Sequence, residues 1–184
     1  MTTPSAQLAP VSGTDWPWLH SAVQMARISC PDWPSGTGAV GFWPRPPKVA
    51  TRKPAPTAAS IAPSRAFALR TMHRWDESEH ADDVAAVVSE LLANALRHAL
   101  PQAGEDASPW PIRLGLLHTG SHVVCAVSDP GAGIPMLREP EQLAESGRGL
   151  LVVALLSDQW GYCPAPEPWQ GKVVWAAFAA SSPL

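Results

Sequence analysis

Apolar positions along the chain repeat with two periods, and each period predicts a different element. Ala66, Phe67, Leu69 and Met72 recur at helical spacing between Pro63, which suits a first turn, and Trp75, so order is expected to begin near residue 61 with a helix. DESEHADD (76–83) gathers acids where a helix dipole favours them, and Arg97 and His98 lie at the other end before Pro101. A second helix is predicted over about 79–99. IRLGLLH (112–118) and HVVCAVSD (122–129), joined by Thr119, Gly120 and Ser121, read as an antiparallel hairpin. Its second arm is apolar on both faces and is expected at the centre of a sheet. GLLVVALLSDQWG (149–161) predicts a third helix closed by Gly161, and KVVWAAFAA (172–180) predicts a last, apolar strand. Together these predict an α/β (α+β) two-layer sandwich, with a mixed, mostly antiparallel sheet covered by helices on one face.

The first third follows neither period. The chain carries 21 Pro and 9 Trp, and the stretch WPRPPKVATRKPAP (43–56) excludes a continuous helix or a central strand. Before it, DWPWLHSAVQMARIS (15–29) offers Asp15 as an N-cap, Pro17 in the first turn and apolar Leu19, Val23 and Met25, which predict a short amphipathic helix. Trp16, Trp18, Trp33 and Trp43 are more than a disordered tail usually carries, so part of this segment is expected to pack on the domain or on a partner. The expected organisation is a Pro/Trp-rich extension over 1–60, with a role in partner choice, and a folded domain over 61–184.

Composition narrows the function classes. A 184-residue chain that is 46% hydrophobic suffices for a sizeable core. Net charge is -3 with Lys and Arg scattered, so neither nucleic acid nor an anionic membrane is an expected partner. The start MTTPSAQLAP has no basic-then-apolar leader pattern, and no apolar run approaches a membrane span, so a cytoplasmic protein is expected. Cys30, Cys125 and Cys163 lack metal-ligand spacing and read as reduced, mostly structural thiols.

Three motifs carry candidate chemistry. In SELLANALRH (89–98), helical projection puts Val87, Val88, Leu91, Leu92 and Ala95 on one broad side, with Glu90 and Asn94 at its border. The same spacing also serves solvated residues flanking a core stripe. Asp129 ends the central strand and is followed at once by PGAGIP. A carboxylate there can accept a hydrogen bond from an exocyclic amino group, and the glycines admit a flat ligand, although a plain Gly/Pro turn reads equally well. In SGRGLLVVALL (146–156), Gly147, Arg148 and Gly149 run into an apolar helix, an arrangement that favours an anionic group such as phosphate.

In this order, ELxxN with a later His, DxGxG at a strand end and GxGL opening a helix resemble the three nucleotide-binding boxes of the GHKL ATPase superfamily. That superfamily groups gyrase, the heat-shock chaperone, histidine kinases and the MutL repair protein. The resemblance covers roughly residues 62–179 and implies a Bergerat-type ATP-binding fold. It implies that Asp129 holds the adenine amino group, and that Gly131 and Gly133 shape the turn beneath it and start the ATP lid. Asn94 would bind a magnesium ion bridging the phosphates, and Glu90 would be the general base. Gly147 and Gly149 would let the lid close, and Arg148 would add a charged contact. His98 matches a His often found after the Asn, and it equally suits capping of the helix end. The chain departs from the pattern in GKVVW, where Val173 and Val174 stand at the place of a frequent Thr near the adenine, so a reduced affinity is expected.

The chain ends at Leu184 right after the last predicted strand, and the lid, about 134–148, is short, which disfavours gyrase-like hydrolases. His20, His73 and His80 lack the context of a phosphoacceptor His. The remaining resemblance, including WGY and GKVVW, is to single-domain bacterial anti-sigma-factor serine kinases. It implies binding of ATP and Mg2+, serine/threonine phosphorylation of a small antagonist protein, and regulation of transcription by partner switching with a sigma factor, and it admits a homodimer. A nucleotide-dependent binding module without kinase activity and a simple ATP hydrolase stay open beside it.

Overall fold

The computed structural model describes residues 17–30, 47–99, 112–137, 148–168 and 170–181. Five strands, β1 (Lys48–Arg52), β2 (Arg113–His118), β3 (His122–Asp129), β4 (Gln159–Pro164) and β5 (Lys172–Ala179), form one sheet in the order β1-β2-β3-β5-β4. Every pairing among them is antiparallel, so the sheet is not mixed. β3 lies at the centre and is buried along its whole length, as its two apolar faces require.

Side chains alternate cleanly across this sheet. Leu114, Leu116, Val123, Cys125, Val127, Val174, Ala176 and Phe178 share one core with α2 (Ile61–Trp75) and α3 (Ala81–Asn94), joined by Val153 of α4 (Gly149–Leu156). Leu117, Val124, Ala126, Val173, Trp175 and Ala177 face the other way, onto Trp18, Leu19, Ala22, Val23 and Ala26 of α1 (Pro17–Ser29). The expected layering is therefore present, with α1 as an addition on the second face. Cys30, Cys125 and Cys163 are buried and form no disulfide among the described residues, and burial pushes the Cys125 thiol up to about 12, which keeps it protonated and structural.

Two boundaries differ from the sequence reading. The segment over 1–60 is not separate from the sheet throughout: α1 packs on its reverse face, and β1 pairs with β2 from Lys48↔His118 to Arg52↔Leu114. Prolines exclude only a central position, and β1 is an edge strand. The third helix stops at Leu156, not Gly161. Ser157 turns extended and its hydroxyl donates to the Val153 carbonyl at 2.7 Å. Asp158 N–H then donates to Ala177 O at 3.1 Å, while its Oδ2 accepts Ala179 N–H at 2.7 Å, and this hands the chain to β4. Gly161 sits inside β4 against the Trp175 indole rather than capping a helix.

The acids before α3 also divide. Asp82 and Asp83 occupy its first turn, as the dipole favours. Asp76 takes a left-handed conformation (φ 70°) that ends α2, and Glu77 is thereby turned inward. Glu77 Oε1 accepts from His118 Nε2 at 2.9 Å, Oε2 accepts the Ser181 N–H at 2.8 Å, and His118 Nδ1 accepts the Gly120 N–H at 3.0 Å. This tautomer leaves the imidazole neutral.

Candidate functional site

The site lies on the face of the sheet that α2, α3 and α4 cover, at the ends of β3, β5 and α3 and the start of α4. The border position of Glu90 and Asn94 is observed: both are half-buried, beside fully buried Leu91 and Leu92. At Asn94 the α-helix passes into a π turn, Ala95–Ala99, which carries an exposed His98.

α4 begins directly against these two side chains. A Cβ placed on Gly149 would meet Glu90 Oε2 at 2.8 Å and the Asn94 amide oxygen and nitrogen at 3.3 Å each, so any larger residue there would displace these two side chains. The first and third motifs, 55 residues apart as Asn94 and Gly149, thus form one constellation. Asn94 Nδ2 is buried with no hydrogen-bond partner among the described residues. A buried polar atom in this state calls for a partner such as water, an ion or a ligand, and Arg52 Nε, Ser64 Oγ and Trp175 Nε1 share it. Arg148 precedes α4 as an exposed residue, and its carbonyl accepts Val152 N–H at 3.0 Å. Gly147 lies outside the described residues, as does most of the lid.

The second motif forms its own cluster at the end of β3. Alternation puts Asp129 on the same face as Cys125 and Val127, and its Oδ1 accepts the Gly131 N–H at 2.9 Å. Gly133 is exposed, with nothing within 4 Å of where a side chain would begin. Sequence reading missed the partner of this carboxylate. Lys172 faces Asp129 across the β3–β5 pair, and its Nζ donates to Asp129 Oδ1 at 2.8 Å and to Gly131 O at 2.9 Å. Opposite charges at the ends of two neighbouring strands were the available signal, but reading it needs the register. Of the two valines at the expected Thr position, only Val174 shares the Asp129 face; Val173 packs toward α1.

Burial pushes the Asp129 carboxyl up, and the Lys172 ammonium and Gly131 N–H pull it back only in part. The folded chain therefore holds this proton to higher pH than the unfolded chain. The stability it contributes is full below the ordinary carboxylate range and is lost as pH rises through the raised value. In a carboxyl-carbon NMR titration Asp129 is expected to titrate above the ordinary carboxylate range; a midpoint at or below that range would contradict the assignment.

The donor set fits magnesium and a nucleotide. The Asn94 amide oxygen is a hard ligand, and magnesium usually takes few protein oxygens and shares the rest with phosphates and water. Among the described residues no group of three or more His, Cys, Asp or Glu side chains could hold a metal ion by itself. No helix among them is long and apolar enough to cross a membrane.

No curated protein matches the chain. Residues 55–178 match the family described as the histidine kinase-like ATPase domain, a span that begins just after β1 and ends one residue before the close of β5. That span holds the Glu90–Asn94–Gly149 constellation and the Asp129 turn in one antiparallel α/β sandwich, the Bergerat-type arrangement with its implied capacity for nucleotide, and the chain belongs to the histidine kinase-like ATPase domain family of the GHKL superfamily.

Proposed function

We propose that this protein binds ATP with magnesium and acts as a protein serine/threonine kinase that regulates transcription by partner switching between a sigma factor and a small antagonist protein, in the cytoplasm. The observation that carries this reading is the placement of the Glu90 carboxylate and the Asn94 amide together against the start of α4. Asn94 would hold magnesium through its amide oxygen, and Asp129 would accept from the base amino group. Bound magnesium would offset the phosphate charge. Glu90, one helical turn before Asn94, is positioned to take the proton of an attacking hydroxyl as the new serine O–P bond forms and the bond to the ADP leaving group breaks. A protein partner is supported by exposed apolar side chains at the lid start and on α4: Ile134 (63% exposed), Met136 (71%), Leu137 (48%) and Leu155 (74%).

Calorimetry separates the parts of this reading. Asn94→Ala is expected to weaken ATP by about tenfold or more with magnesium present and much less in its absence, the cost of one charge-assisted ligand contact. Tight binding unchanged in this variant would remove Asn94 from the site. Incubation with labelled ATP and an antagonist shown to bind tests the kinase step: serine phosphate supports it, binding without transfer leaves the binding module, and phosphate release without a partner indicates a hydrolase.

A further inference from the structure

Resting on the nucleotide reading above, the Lys172–Asp129 pair bears on which base the site selects. Lys172 and Asp129 stand opposite each other in register, and the pair is nearly closed off, with side chains 13% and 4% exposed. Asp129 Oδ1 is committed twice, to Lys172 Nζ at 2.8 Å and to Gly131 N–H at 2.9 Å. Among the described residues Oδ2 makes no hydrogen bond. An ammonium has three donors, and two are engaged, by Asp129 Oδ1 and by Gly131 O. One acceptor and one donor therefore remain side by side at the adjoining ends of β3 and β5.

We propose that Lys172 is a specificity-determining residue that reads the base together with Asp129: Oδ2 accepts from an exocyclic amino group while Nζ donates to the neighbouring ring nitrogen. The ligand class selected is a purine with an amino group beside an unprotonated ring nitrogen. Adenine carries that order on its N6–N1 edge, and hypoxanthine, with its O6 acceptor and N1–H donor, carries the reverse. Lys172 stays in place when ligand binds, because expelling the ammonium would leave a buried carboxylate without its counter-charge, a strongly unfavourable state. The next β5 side chain on this face, Val174, has no donor to supply in its stead.

Calorimetry on the full chain with ATP, 1-deaza-ATP and inosine triphosphate tests this. The wild-type protein is expected to prefer ATP over 1-deaza-ATP, which lacks only the ring nitrogen, by about 10- to 100-fold. Lys172→Met is expected to lose that preference and bind both near the weaker level, while Lys172→Arg keeps part of it. Equal affinity of the wild-type protein for ATP and 1-deaza-ATP overturns the inference and leaves nucleotide binding standing. Tighter ATP binding by Lys172→Met also overturns it, since the ammonium would then be an obstruction. No binding of any nucleotide by the wild-type protein overturns both this inference and the nucleotide reading. The wild-type comparison decides the matter even where Lys172→Met fails to fold.

Discussion

Glu90→Gln is expected to slow phosphate transfer to a protein serine by about 100- to 10,000-fold, the usual cost of losing a general base. ATP affinity should stay within about twofold, because a uniform binding contact is not what is removed. Glutamine keeps the shape of the side chain, so the packing of position 90 beside the start of α4 is preserved. What disappears is an oxygen able to hold the hydroxyl proton. Neighbouring Asn94 cannot substitute, since an amide oxygen is too weakly basic. Single-turnover transfer to a bound antagonist, followed with labelled ATP, gives the rate without interference from product release. Transfer at the wild-type rate by Glu90→Gln would take Glu90 out of the chemistry.

Gly171→Ala should be strongly destabilising. Gly171 has φ 93°, and a Cβ there would run into Asp129 O and lie 2.6 Å from the Pro130 backbone. Both partners are main chain, so relief requires the β3 end and the approach to β5 to separate. The left-handed penalty and the overpacking together amount to about 3 kcal/mol or more. For a chain of this size that lowers Tm by roughly 6–12 °C. Gly133→Ala is the matched control, since nothing lies within 4 Å of the added atom, and its thermal transition should stay within about 1 °C of wild type. Equal transitions for the two variants would show that the Gly171 turn is not under this constraint. The damage would also reach function, because the same backbone sets the register that brings Lys172 to Asp129.

The parts of the fold that were legible in sequence are those where one periodicity runs long enough to dominate. Helices α2 and α3 and the β2–β3 hairpin follow from their apolar spacing, and the central place of β3 follows from its double apolar face. Strand β1 was hidden by prolines on both sides, because proline excludes pairing on two edges but not on one. Strand β4 was hidden by the apolar run ahead of it: GLLVVALL continues smoothly in composition into DQWG, and only the hydrogen bonds of Ser157 and Asp158 break it. Within the site, Glu90 and Asn94 could be placed from one helix. Their meeting with Gly149 depends on tertiary packing, and the Lys172 partner of Asp129 depends on strand register, which composition does not encode.

The two outer strands have a colloidal consequence. β1 is bracketed by Pro47 and Pro54 and carries Lys48 and Arg52, with Lys53 just after it, while β4 ends at Pro164. An incoming strand would meet missing N–H donors at one border and like charges at the other, so growth of the sheet by strand addition between molecules is disfavoured at both sides. A concentrated solution of this domain should therefore resist amyloid-like stacking through its sheet edges.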